Sequence, residues 1–234
     1  MKVLVIGDIH GHWRSFYQSV ETATENGCEA VIQVGDLGYK WPGEEPPCCK
    51  PDLPVYFCDG NHENFGELGK VTHLNGIGEA YPGVFHVDRG EVLNLNERHL
   101  LFAGGAYSID RKSRVKDESW WERETITKMD ADLMLRYSWA TIDLVVSHDC
   151  PFSVNVAEFA YPGAIESREY LDHVLQRYCP KYWFFGHYHR FYHRVDSQTG
   201  TTFFCLPCPH DSNAVGIVFD LTSFQVDDVV PIWS

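Results

Sequence analysis

Five clusters of metal-competent side chains punctuate the chain: Gly7-Asp8-Ile9-His10, Gly35-Asp36, Gly60-Asn61-His62-Glu63, Ser147-His148-Asp149 and Gly186-His187-Tyr188-His189. This mixture of carboxylate, imidazole and amide donors suits divalent transition ions, manganese first, with iron, zinc, nickel or cobalt as alternatives, better than calcium or magnesium alone. Asp8 and His10 are separated by one residue, as are His187 and His189, so on an extended chain each pair projects to one side and can grip one ion. Asp8, His10, Asp36, Asn61, His148, His187 and His189 together are too many for one catalytic ion and the right number for two, if Asp36 bridges them. Two ions roughly 3.5–4 Å apart can hold a hydroxide between them and stabilise the entering and leaving oxygens of an in-line displacement at phosphorus. His62 should reach the rim of such a site without ligating, where it could protonate the leaving alkoxide or steady a phosphate oxygen.

Each cluster directly follows a short apolar run: 3–6, 30–34, 55–58, 142–146 and 182–185. Their length and their branched or aromatic content predict buried strands. In open α/β sheets the ligand crevice lies outside the carboxyl ends of the strands, so five such ends can converge. Four of the five turns carry glycine before the polar residue, expected to allow a sharp turn and to leave room for an ion. Between the first two runs, Trp13, Phe16, Tyr17, Val20 and Thr24 recur at helical spacing and Gly27 closes the segment, which predicts a strand–helix–strand unit. A second helix is expected over 168–178, stopped by Pro180. A possible capping box, Ser119 with Glu122, opens a short middle helix, and Thr127 caps another through Tyr137. Alternating runs at 84–87, 92–95, 100–103, 202–206, 215–221 and 224–230 predict meandering strands. The order implies an α/β chain of two packed mixed sheets with helices outside, and a single domain over 1–234. Residues 39–54 are rich in Pro, Gly and charge and read as a surface loop.

Composition bounds the function. A hydrophobic content of 44% is ample for a core. No apolar stretch is long enough to span a bilayer, and the run after Lys2 is broken by Gly7 and Asp8, too short for an export signal. A cytoplasmic location is therefore the expectation. A formal charge of -14 argues against gripping long nucleic acid. The eight cysteines are expected to be reduced thiols; a zinc site built from Cys205, Cys208 and the vicinal Cys48 and Cys49 is poorly spaced for tetrahedral ligation.

The ordered motifs GDIHG, GDLG, GNHE, SHD and GHYH resemble the signature of the calcineurin-like metallophosphoesterase superfamily, over residues 3–189. The resemblance implies the family fold, a pair of mixed sheets flanked by helices. It also implies that Asp8, His10 and His189 hold the first metal, that Asn61, His148 and His187 hold the second, and that Asp36 bridges. The protein Ser/Thr phosphatase branch carries GDxxDRG at the second block, whereas this chain reads GDLGYKW and lacks both the second Asp and the Arg. That departure weighs against protein dephosphorylation and leaves the partner that orients His62 unidentified, with Asp149 and Glu63 as candidates by sequence proximity.

Around these motifs, Arg111 and Arg114 are candidates to meet the substrate phosphate with paired donors, or else to pair with Asp117, Glu118 or Glu122. Tyr107, Trp120 and Trp121 could stack on a base, though such clusters more often pack. His12, His73, His86, His99, His173, His193 and His210 are read as surface or structural. The favoured function is hydrolysis of a small phosphate ester, a phosphodiester or cyclic nucleotide first. A nuclease on short or structured nucleic acid and a non-catalytic protein-binding scaffold of the same fold are the alternatives; the scaffold is disfavoured because every ligand position and His62 are filled.

Overall fold

The computed structural model describes residues 1–138, 142–156 and 161–232. Strand β1 (Lys2–Ile6) leads into helix α1 (Trp13–Glu25), followed by β2 (Ala30–Gln33), β3 (Val55–Phe57) and a one-turn helix α2 (Phe65–Leu68). Strands β4 (Ile77–Tyr81), β5 (Val84–Val87), β6 (Val92–Leu95) and β7 (Arg98–Ala103) precede α3 (Lys128–Met134) and β8 (Leu144–Ser147). The long helix α4 (Pro162–Tyr178) feeds β9 (Tyr182–Phe185), and β10 (Tyr192–Val195), β11 (Thr202–Cys205), β12 (Val215–Asp220) and β13 (Gln225–Pro231) complete the order.

These strands form two mixed sheets, β13-β12-β1-β2-β3-β5-β4 and β10-β11-β9-β8-β7-β6. The centre of each is parallel, β1-β2-β3-β5 in one and β11-β9-β8-β7 in the other, and antiparallel pairs flank these blocks. Alternation along the strands divides the core. Val3 and Val5 of β1 face Leu144 and Val146 of β8 across an inter-sheet layer, while Leu4 and Ile6 turn outward to Phe16, Val20 and Ala23 of α1. On the other side Val145, Trp183 and Phe185 meet Leu171, Val174 and Leu175 of α4. The result is the expected four-layer arrangement, each fully buried aliphatic or aromatic side chain contributing about 1.5–3 kcal/mol.

Helix α1 ends as its sequence requires. Gly27 has φ +69°, Cys28 N–H donates to Ala23 C=O and Gly27 N–H to Thr24 C=O, the paired bonds of a Schellman cap. Three helix expectations shift. α4 starts at Pro162, not Arg168, because proline suits the first helical position although that turn carries no apolar stripe. α3 is capped by Thr127 with Asp130 but stops at Met134, where the Tyr178 hydroxyl takes the Met134 carbonyl (2.8 Å) and receives Tyr137 N–H (3.3 Å). The Ser119–Glu122 box does not form: Ser119 Oγ accepts from Val115 N–H, and a single 3-10 turn at Glu122–Glu124 is closed by Glu124 reaching back to Trp121 N–H. Segment 39–54 contains neither helix nor strand.

All eight cysteines are free. Cys48 and Cys49 are exposed while Cys205 and Cys208 are buried, so the four sulfurs do not form one site. No helix among the described residues is long and apolar enough to cross a membrane.

Candidate metal centre

β1, β2, β3, β8 and β9 lie in the two parallel blocks, and the five polar clusters leave their carboxyl ends. The turns are tightly wound. His10 (φ 50°), Asp36 (φ 55°), His187 (φ 67°) and His189 (φ 49°) all occupy the left-handed region, which non-glycine residues seldom enter and which concentrates at functional sites. They are held there by the neighbouring turns: Ile9 and His10 N–H both donate to Asp36 C=O (2.9 and 2.8 Å), and His187 N–H reaches both oxygens of Asp8 (3.2 and 3.1 Å).

The glycines of these turns have a more specific task than making room for an ion. A Cβ on Gly60 would lie 2.0 Å from Asp36 Oδ1, one on Gly186 2.1 Å from Asp8 Oδ1, and one on Gly35 2.6 Å from His148 Nδ1. Each missing side chain is filled by a polar side chain from another turn, so the turns interlock.

Two donor groups result. Ligand atoms of Asp8, His10, His189 and Cys208 all lie within 4.8 Å of one another, as do those of Asp36, His148 and His187. In the first, His189 Nε2 is 3.2 Å from Asp8 Oδ2 and 3.1 Å from His10 Nε2. In the second, His148 Nε2 sits 3.3 Å from Asp36 Oδ2 and 3.2 Å from Asn61 Oδ1. Asp36 Oδ2 also lies 3.7 Å from His10 Nε2, so this one oxygen faces a histidine of each group. The seven sequence-predicted ligand residues are therefore gathered in one place.

The donor set fits divalent ions. Asp8 and Asp36 are buried, and the cations within ion-pair distance of them are imidazoles alone among the described residues. Burial opposes a charge on His148, yet Asp36 outweighs it and lifts the ring to about 10. Burial would likewise raise Asp36, but His148 beside it holds its carboxyl well below the usual range. The mutual pull of Asp36 and His148 thus marks a place where positive charge is favoured. His148 Nδ1 lies 3.0 Å from Val34 C=O, which fixes its N–H there and leaves Nε2 as the donor atom.

His62 stands at the rim. Its ring is 5.0 Å from that of His10 and 4.9 Å from Trp41, and its backbone N–H donates to Asp36 Oδ1 at 2.7 Å. Burial, together with the charge of Arg114, holds it down to about 4. Arg114 donates to His62 Nε2 (2.8 Å) and to Asn61 C=O (3.2 Å), with Asp110 and Glu124 as its ion-pair partners rather than Asp117, Glu118 or Glu122. Arg114 is accordingly the side chain that orients His62. Glu63 is instead spent on the Leu37 and Tyr39 N–H groups (2.8 and 2.6 Å), and Asp149 on the Tyr188 hydroxyl (2.7 Å). Arg111 is exposed and lies over Tyr107, 4.6 Å from guanidinium carbon to ring centre. Trp121 packs against Trp41 and Phe65, a core role rather than a stacking platform.

Sequence reasoning missed Cys208 as a neighbour of the first donor group. The signal was its place two residues before His210, in the loop after β11, the strand that pairs with β9. His210, read as surface or structural, stacks on His12 at 4.0 Å and lies 6.5 Å from His10.

The fold matches solved structures at low identity. A Thermus thermophilus protein, TT1561, superposes with TM-score 0.55 and 11% identity over 99% of both chains. A Staphylococcus aureus chain assigned as a 5'-nucleotidase gives TM-score 0.57 and 13% identity over all of this chain and 54% of its own. GAP50 of Plasmodium gives TM-score 0.51 and 11% identity over 100% of this chain and 89% of its own. Comparison with curated proteins returned no significant sequence match. The profile of the calcineurin-like phosphoesterases, by contrast, matches residues 1–191, which span all five clusters. The chain belongs to the calcineurin-like phosphoesterase family and is a hydrolase of phosphate esters.

Proposed function

We propose that this enzyme hydrolyses a small phosphate ester, a phosphodiester or cyclic nucleotide in preference to a polymer, with two divalent transition ions. Manganese is the favoured ion and iron, zinc, nickel or cobalt the alternatives. Asp8, His10 and His189 would hold one ion, Asn61, His148 and His187 the other, and Asp36 both. The observation that carries this reading is the shared oxygen: Asp36 Oδ2 lies 3.7 Å from His10 Nε2 and 3.3 Å from His148 Nε2. When bound, such a pair supplies the nucleophile and neutralises charge building on the phosphoryl oxygens.

The protein's own contribution at the rim follows from tautomers. With Nε2 accepting from Arg114, the neutral His62 ring carries its proton on Nδ1. That N–H can steady a phosphate oxygen, which we favour over protonation of the leaving alkoxide, since burial disfavours the imidazolium. Arg111, three residues before Arg114, is exposed, and we infer that its guanidinium meets the approaching phosphate. The formal charge of -14 disfavours a long nucleic acid and not a small ester. We infer that 1–234 acts as one domain, because β11 and β12, beyond the matched segment, pair with β9 and β1.

The test is turnover by manganese-loaded protein of chromogenic monoesters and diesters, then of cyclic nucleotides. Activity lost to a chelator and restored by metal supports the reading. Protein carrying two equivalents of metal that turns over none of these esters overturns it.

A further inference from the structure

At the β5-β4 end of the first sheet, outside the five clusters, three side chains converge that the phosphoesterase reading does not use. His73 precedes β4, His86 lies on β5, and Asp88 follows β5 directly. His73 Nε2 is 2.9 Å from His86 Nδ1, and Asp88 Oδ1 is 3.5 Å from the first and 3.6 Å from the second.

The outer nitrogens decide what these inner atoms are. His73 Nδ1 lies 3.0 Å from the Val71 carbonyl, and His86 Nε2 lies 3.3 Å from Asp59 Oδ1. A carbonyl accepts only, and so does an ionised carboxylate. Asp59 is the carboxylate of an ion pair: Arg89 reaches it with two guanidinium nitrogens, Nε donating to Asp59 Oδ2 at 2.8 Å, so its oxygens accept. Both outer nitrogens are therefore the N–H donors. A neutral imidazole has one N–H, so both inner nitrogens present lone pairs to each other, with a carboxylate oxygen as the third. Three acceptors facing one another repel unless a cation lies among them.

The spacing suits a metal ion. Tetrahedral coordination at about 2.0–2.1 Å places ligand atoms about 3.3 Å apart, and the three observed separations bracket that value. The carboxylate–histidine contact from Asp59 to His86 is the usual outer support of a metal-bound imidazole. Gly78 backs the site: a Cβ there would fall 2.8 Å from His73 Nε2, so the missing side chain lets the ring lie against the sheet. The three residues line a cavity of about 600 Å³ that also touches Arg89 and Arg123, which leaves a fourth coordination position open to solvent or a small anion.

We propose that His73, His86 and Asp88 form a further, mononuclear site for a zinc-class divalent ion, separate from the paired centre. The proposal does not depend on the two-metal reading, because its test is a difference in metal content between variants. Wild-type protein, H73Q and D88N are loaded with zinc, desalted at a pH above the histidine range, and assayed for bound metal, with circular dichroism confirming the fold. H73Q and D88N each carry one equivalent less than wild type, whereas D36N keeps the equivalent that H73Q loses. In parallel, histidine ring resonances of D36N shift on zinc titration for His73 and His86. Equal metal content in wild type, H73Q and D88N overturns the proposal. So does a pH titration in which His73 and His86 respond to protons and not to zinc, since a shared proton would then be the cation among them.

Discussion

The backbone N–H of His62 donates to Asp36 Oδ1 at 2.7 Å, so one oxygen of this carboxylate holds the rim histidine while the other faces both donor groups. D36N keeps an oxygen for that bond but weakens the shared donor. Metal content is expected to fall by at least one equivalent and turnover by at least about 100-fold, read by elemental analysis beside steady-state kinetics.

His62 and Arg114 should act as one unit. H62A is expected to lower kcat by roughly two to four orders of magnitude with metal content unchanged. R114A should lose much of the same factor, and the double variant little more than H62A, because Arg114 works through His62. Additive losses would show that Arg114 meets the substrate on its own account.

Cys208 Sγ shares the first donor group with Asp8, His10 and His189. Cobalt-loaded wild type is expected to show a near-ultraviolet sulfur-to-cobalt charge-transfer band that C208S lacks. If both spectra coincide, the thiol is a packing neighbour and not a donor.

The interlock of glycine and ligand predicts a steric loss without chemistry. In G186A the new methyl group would sit 2.1 Å from Asp8 Oδ1. Metal content should drop at the first group while circular dichroism keeps its native shape; unaltered metal binding would mean that Asp8 has room to move.

Glu124 provides a pH signature. Burial pushes its carboxyl up to about 7 from an ordinary 4.5, against the bonds it accepts from Ser108 and Trp121. The folded chain thus keeps a proton here that the unfolded chain has released, so the contribution of Glu124 to stability declines as pH rises from the ordinary value to about 7, then levels. At about 1.4 kcal/mol per unit this share is on the order of 3 kcal/mol, and thermal melts of metal-stripped E124Q should lack it, falling less between those pH values than melts of the wild type.

The convergence of the seven candidate donors was legible because each closely follows an apolar run, and parallel strands bring such ends to one edge. The elements that escaped lack that periodic signal. β4 has Gly78 in its interior and β10 alternates half-buried with exposed residues, so neither reads as an apolar run. Arg114 reaches His62 from an irregular segment where spacing carries no information, and its link spans 52 residues of sequence. Asp59, His86 and Arg89 form a buried polar group whose members are individually ordinary. Only the pairing of β3 with β5 brings them together.

β12 borders β1 and β11 borders β9, so the chain beyond residue 191 shields, in each sheet, the flank of a strand that carries donors. Loss of that segment would bare the amide and carbonyl rows of both strands together, inviting strand-to-strand aggregation. Proteolytic nicking after the last histidine of the centre would therefore register first as insolubility, before any change in chemistry could be measured.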